Sequence, residues 1–377
     1  MQWLTSLIRP DLRNLVAYSS ARTEAGDFYP TIAIDANEFP WPPFGDVIKL
    51  CKPNRYPEPQ PKMLRQRLAD IYGVAPAQIV MGRGSDDAID ALLRLFCEAG
   101  KDQILICPPT YGAYKTYAAI QGAEILQVPL NNKWQLDVPA ILKTCTPRTK
   151  LIFIPSPHAP MGHMMQREDI ATLCKERAEK SLIVIDEAYV EFSENPKGII
   201  DELKNYSNLV ILRTLSKAHA LAGERIGCAI AQPEVIAQLQ KIIAPYPLTQ
   251  SSIRAALDAL TPNGLIQSAE YRRIIMAERT RLTRLLPQSP MIESVFPSVA
   301  NFVLVQTKDA SAVMKHLRGF GISARNRHGD IPNTIRLSIG TPDENNAVLQ
   351  ALGINVQPAD KPAHTRLFSA RRATKET

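Results

Sequence analysis

No stretch of this chain approaches the roughly 18 consecutive apolar residues that a membrane helix needs, so a spanning protein is not expected. The opening residues, MQWLTSLIRPDLRNL, put Arg9, Asp11 and Arg13 where a secretory signal would need an apolar centre. A cytoplasmic protein is the expectation. The six cysteines (Cys51, Cys97, Cys107, Cys145, Cys174 and Cys228) form no CxxC pair, and no histidine lies at metal-ligand spacing. Neither a disulfide framework nor a metal site is indicated, and Cys97, Cys107 and Cys228 read as reduced core residues. A basic stripe is also missing. The formal net charge is +7, but residues 357–377 hold five Lys/Arg against two acids, in a tail that reads as loosely attached. The rest is spread along the chain, which suits an anionic small molecule and gives no ground for nucleic acid or membrane as partner. No internal repeat is found.

What is present is an ordinary globular composition, 45% hydrophobic and 21% charged over 377 residues, a length that favours two domains. Short apolar runs read as strands: QILIC (103–107), AEILQV (123–128), KLIFIP (150–155), SLIVID (181–186), NLVILR (208–213) and IGCAIA (226–231). Helical patterns such as GAYKTYAAIQG (112–122) and REDIATLCKERAEK (167–180) lie between them. This alternation predicts an α/β fold whose parallel sheet is covered on both faces. After residue 247 the rhythm changes. A long helical pattern (265–286) leads to strand NFVLVQ (301–306), helix SAVMKHLRGF (311–320), a short strand ISAR, strand TIRLSIG (334–340) and helix DENNAVLQALG. A smaller α+β unit is expected there, and the first 45 residues read as an extended arm.

Ligands of open parallel sheets bind beyond the carboxyl ends of the strands. Those ends carry Tyr111 after QILIC, Asp186 and Tyr189 after SLIVI, and Thr214, Ser216 and Lys217 after NLVILR. A further loop places Gly84, Ser85 and Asp86 at a helix start, where free backbone N–H groups can hold a phosphate. Singly these are weak signals. A lysine past a strand is usually the start of a solvated turn, and a serine at a helix start is usually a cap. Their joint supply at one rim fits pyridoxal 5'-phosphate. Lys217 would form the Schiff base, Asp186 would pair with the pyridinium nitrogen, and Tyr111 would stack on the ring. Tyr189 would meet the phenolic oxygen, and Ser85, Asp86, Thr214, Ser216 and Arg225 would hold the phosphate.

The segments AYSSAR (17–22), NRYPEPQP (54–61), CPPTYG (107–112), DEAYVEF (186–192), RTLSKAHALAGERIG (213–227) and IRLSIGT (335–341) resemble motifs of the fold type I aminotransferases, most closely the histidinol-phosphate aminotransferase family. The resemblance runs from about Leu15 to Gly353. It implies a large domain (46–262) with a mostly parallel seven-stranded sheet and a smaller C-terminal domain (263–356). An arm (1–45) would join the small domain, and a basic tail (357–377) would follow. It also implies exchange of an amino group between glutamate and a phosphorylated substrate in histidine biosynthesis. By the same resemblance Tyr56 reaches the cofactor phosphate of a neighbouring subunit in a homodimer. Arg336 binds the anionic group of each substrate, and Tyr18, Asn37 and Arg325 line the same pocket. Three rivals stay open: an aromatic amino-acid aminotransferase, a threonine-phosphate decarboxylase-like enzyme, and a cofactor-binding regulator. The chain departs from the family where SPHAPMG (156–162) replaces SPNNPTG, so that Ala159 stands for an asparagine. His219 and Glu224 stand where apolar residues are usual.

Overall fold

A computed structural model describes residues 2–16 and 54–356. Tyr18, Asn37, the rest of the arm and the tail lie outside the described residues. The larger sheet has seven strands: β1 (Ile79–Gly82), β2 (Gln103–Ile106), β3 (Glu124–Gln127), β4 (Thr149–Pro155), β5 (Leu182–Asp186), β6 (Leu209–Thr214) and β7 (Gly227–Ile230). Their order is β1-β7-β6-β5-β4-β2-β3. Pairs from β6 through β3 are parallel, whereas β7 runs antiparallel to both β6 and β1. The reversal has a simple cause. A parallel partner needs a crossover of a dozen or more residues, usually a helix, and residues 215–226 supply only a short 3-10 turn.

Side chains alternate across the sheet. Ile183 and Ile185 of β5 and Leu209 and Ile211 of β6 enter one core, whereas Leu182, Val184, Val210 and Leu212 enter the other. All eight are fully buried, each stabilising by roughly 1.5–3 kcal/mol. Two-sided burial is why these strands read as unbroken apolar runs. β1 is equally buried, but its sequence signal merges into the loop that follows it.

The smaller sheet is antiparallel, ordered β10 (Arg325–Asn326), β11 (Thr334–Ser338), β9 (Phe302–Thr307) and β8 (Ile292–Val295). β8 escaped the sequence reading because it is half exposed and carries no apolar run. The helix Pro262–Leu285 joins the two sheets. Thr261 caps it by accepting from the Gly264 N–H, and Pro262 starts it at a position that needs no donor. Leu265 packs on the larger core, and Leu282 and Leu285 belong to the smaller one. The boundary expected at 262/263 therefore falls at the first residue of a shared helix rather than in a linker.

The first part of the arm behaves differently from the expectation that it joins the smaller unit. Residues Gln2–Leu7 are helical, and Leu4, Leu7 and Ile8 form a stripe at i, i+3, i+4 buried in the larger core beside Leu95 and Phe96. The Arg9 N–H donates to the Leu95 carbonyl at 3.1 Å, closing the contact.

Candidate active site

Strand register sets the rim. Pro155 pairs with Asp186 across β4/β5, Thr214 with Gly227 across β6/β7, and Gly227 with Gly82 of β1. The loops after β1, β4, β5 and β6 thus open at one edge, around a cavity of about 220 Å³. Its walls include Ser85, Asp86, Tyr111, Asp186, Tyr189, Thr214, Ser216, Lys217 and Arg225, and Arg336 reaches it from the smaller sheet. Gly84 sits just behind this wall at φ +86°. Tyr56 and Arg325 are not among the lining residues. Tyr56 is half exposed and stacked on Tyr246, ring centroids 4.5 Å apart, and Arg325 is exposed as the register partner of Arg336.

Asp186 ends β5 at 6% exposure. Its Oδ2 accepts from the Tyr114 hydroxyl at 2.9 Å and its Oδ1 from the Ala188 N–H at 3.1 Å. Among the described residues it forms no ion pair, although the charge of Lys217 acts on it across the cleft. Burial therefore pushes its pKa up to about 6, against the pull of those hydrogen bonds. Tyr114, fully buried and stacked on Phe153, is a site residue that sequence reasoning missed. It lies three residues beyond Tyr111, in the first turn of the helix Ala113–Gln121, but only the sheet order brings that helix over β5.

Lys217 opens into the cleft, its Nζ 5.7 Å from the centroid of the Tyr189 ring. Loss of solvent, then the positive charges of Arg336 and Arg225, hold its ammonium below the ordinary lysine value, while Asp86 and Asp186 pull the other way. Burial raises the Tyr189 hydroxyl, and Arg336 opposes that rise. Phe302 underlies both: its ring meets Tyr189 edge-on at 5.1 Å and carries the Arg336 guanidinium at 4.9 Å.

The anion end is built by backbone. A Cβ on Gly227 would sit 2.2 Å from the Ser85 nitrogen, so only glycine there lets β7 approach the helix Ser85–Phe96. Gly84 turns the chain into that helix at a positive φ that few other residues adopt. Arg225 adds a guanidinium whose Nη1 donates to Ser216 Oγ at 3.4 Å and to the Ala222 carbonyl. Two features qualify the expected phosphate set. The Thr214 hydroxyl donates to the Ile226 carbonyl and accepts from the Ser216 N–H, so it braces the turn. The Asp86 carboxylate accepts from the Tyr111 hydroxyl at 3.1 Å and lies 3.6 Å from Arg225, which offsets its charge. The donor set fits pyridoxal phosphate: an arginine and helix N–H groups for the phosphate, and a buried carboxylate without an ion pair for the ring nitrogen.

The departures from the family pattern also find their places. Ala159 lines the cleft, packed with Tyr189, Ala300 and Phe302. His158 is fully buried, stacked on His163 and not among the residues that line the cleft. His219 is buried, and Glu224 makes no ion pair with Arg225, whose carboxylate neighbour is Asp86.

The family model for aminotransferase class I and II matches residues 49–352. A histidinol-phosphate aminotransferase of Stenotrophomonas maltophilia is 41% identical over 355 residues, covering 92% of this chain and 96% of the relative. One from Escherichia coli O45:K1 is 40% identical, over 93% and 97% respectively. The crystal structure of the histidinol-phosphate aminotransferase from Sinorhizobium meliloti in complex with pyridoxal 5'-phosphate superposes with a TM-score of 0.73 at 28% identity, over 84% of this chain and 88% of that one. The chain belongs to the class I and II aminotransferases and, within them, to the histidinol-phosphate aminotransferases.

Proposed function

We propose that the cleft holds pyridoxal 5'-phosphate on Lys217 and that the enzyme exchanges an amino group between L-glutamate/2-oxoglutarate and histidinol phosphate/imidazole-acetol phosphate, the transamination of L-histidine biosynthesis. The observation that carries this reading is the meeting, in one cavity, of Lys217, the buried carboxylate of Asp186 and the guanidinium of Arg336 from the other sheet. When bound, the cofactor supplies an electron sink for the electrons of the substrate's α C–H bond. Asp186 would accept the ring N–H and keep that nitrogen protonated. The Ser85 and Asp86 N–H groups, with Ser216 and Arg225, would hold the phosphate, and Tyr111 would pack against the ring. Lys217, its pKa lowered by burial and by two guanidiniums, is a free amine for more of the time and carries the proton to and from the α-carbon. The planar fork of Arg336 takes a carboxylate or a phosphate in bidentate fashion, which suits two substrates with different anionic groups.

Tyr56 supports a homodimer with shared sites. Its ring is half exposed and stands outside the cavity of its own chain, so a role at the cofactor phosphate requires a second copy. The test of the whole reading is to load purified protein with the cofactor, supply histidinol phosphate and 2-oxoglutarate, and follow glutamate. Phenylalanine and threonine phosphate are run in parallel. Glutamate formed with histidinol phosphate as the preferred donor is expected. Preference for phenylalanine, or release of carbon dioxide from threonine phosphate, overturns the substrate assignment. Bound cofactor with no turnover of any of the three leaves a regulator.

A further inference from the structure

Behind the Lys217 loop lies a buried polar network that the reaction as described does not use. Arg213 and Glu187, 2% and 1% exposed, pair at 2.7 Å, and Arg213 reaches Glu191 at 3.2 Å. Its guanidinium also donates to the Pro196 and Lys197 carbonyls. Two buried carboxylates against one guanidinium leave a negative charge without compensation, which burial makes costly. Arg272, on the helix joining the two sheets, adds a smaller positive influence on Glu191 without forming an ion pair with it. Arg272 donates through Nη1 to Ser268 Oγ at 2.9 Å, and Ser268 Oγ donates to the Ala218 carbonyl at 2.7 Å. The His219 imidazole is buried in the same region, where burial and the charges of Arg272 and Arg213 hold it neutral.

Three members of this network adjoin a cleft residue in the chain. Glu187 follows Asp186, Arg213 precedes Thr214, and Ala218 follows Lys217. The turn that carries Lys217 needs outside support, because Ala220 sits at φ +58°, a left-handed conformation that costs an alanine roughly 1–2 kcal/mol. Within the turn, the Ala220 N–H reaches the Lys217 carbonyl at 3.3 Å. The Ser268 hydroxyl grips the next carbonyl from a helix whose far end lies in the smaller core.

We propose that Ser268, itself held by Arg272, is a positioning residue for Lys217, fixing the backbone from which the lysine projects and tying it to the inter-sheet helix. This rests on Lys217 being the cofactor lysine. A lysine displaced by even a fraction of its reach still binds the cofactor but meets the α-carbon badly, so the loss falls on the proton transfer and spares substrate binding.

The test uses cofactor-loaded wild type, Ser268→Ala, Ser268→Thr and Arg272→Lys. Four quantities are read: kcat, KM for both substrates, the melting temperature, and the pH midpoint at which the bound cofactor's visible absorption changes. Ser268→Ala is expected to lower kcat roughly 10- to 100-fold, the scale of a misplaced catalytic group, with KM nearly unchanged. Its absorption midpoint moves, because the lysine's surroundings move. Ser268→Thr keeps the hydroxyl and restores both. Arg272→Lys shifts the midpoint in the same direction as Ser268→Ala, by less. A Ser268→Ala protein with the wild-type midpoint and kcat, or with only a lower melting temperature, overturns the proposal. If Ser268→Ala does not fold, an unmoved midpoint in Arg272→Lys overturns it instead. Borohydride reduction of the wild type separates the two levels: a tag on a lysine other than Lys217 removes the underlying reading, not the tie between Ser268 and the loop.

Discussion

Asp186→Asn is expected to stabilise the cofactor-free protein while removing its transaminase activity. The carboxyl of Asp186 has its pKa raised from 3.8 to about 6 by burial. Between those values the folded state binds more protons than the unfolded chain, so stability falls as pH rises through this window. Above it, keeping the carboxylate ionised costs about 3 kcal/mol, at 1.36 kcal/mol per unit. Asparagine carries no charge and avoids that cost. Its oxygen can accept from the Ala188 N–H, but its NH2 must then donate to the Tyr114 oxygen, a reversal of that hydrogen bond that gives back about 1 kcal/mol. The variant should therefore be more stable by about 2 kcal/mol at pH 8, an advantage smaller by about 1.4 kcal/mol at pH 5, where most of the wild-type carboxyl is protonated. Urea unfolding of both cofactor-free proteins at the two pH values measures this. An advantage that does not change with pH, or a variant less stable at pH 8, refutes the account of Asp186 as a carboxylate buried without an ion pair. Retained transaminase activity refutes its pairing with the ring nitrogen.

Arg336→Lys keeps the charge but loses the fork, and should weaken both half-reactions by roughly 1.5–3 kcal/mol in kcat/KM; a loss confined to glutamate would place the other substrate's phosphate elsewhere. Lys217→Ala and Tyr56→Phe should each be impaired alone, and subunit exchange between them should recover activity in hybrid dimers. Absence of recovery despite demonstrated exchange refutes the shared site. Ala159→Asn puts back a donor at the cleft wall and should lower the pH midpoint of the bound cofactor's absorption by about one unit, the size of a charge-assisted hydrogen bond. His158→Ala should leave that midpoint in place, since His158 is buried and does not line the cleft; a shift would show that the imidazole reaches the cofactor after all.

Strands β2 and β4 to β7 were legible because burial on both faces leaves no polar alternation, and runs such as LIVI and LVIL have no other stable home. Chain order alone also placed Asp186, Thr214 and Lys217 at strand ends, and with them the chemistry of the cleft. Two elements were not legible: β8 is half exposed and carries no apolar run, and β1 (IVMG) passes directly into the loop of Arg83 and Gly84. Everything that depends on neighbours distant in sequence had to wait for the tertiary structure. The hydroxyl of Tyr114 reaches Asp186 across 72 residues, and Ser268 reaches the carbonyl beside Lys217 across 50. Arg336 enters the cleft because β11 pairs with β9 and so lays its guanidinium on Phe302. Local sequence selects the elements and the reactive groups, through propensity and burial pattern. Which hydroxyl meets which carboxylate, and at what pKa, is decided by packing, because hydrogen bonding and desolvation are properties of the assembled interior.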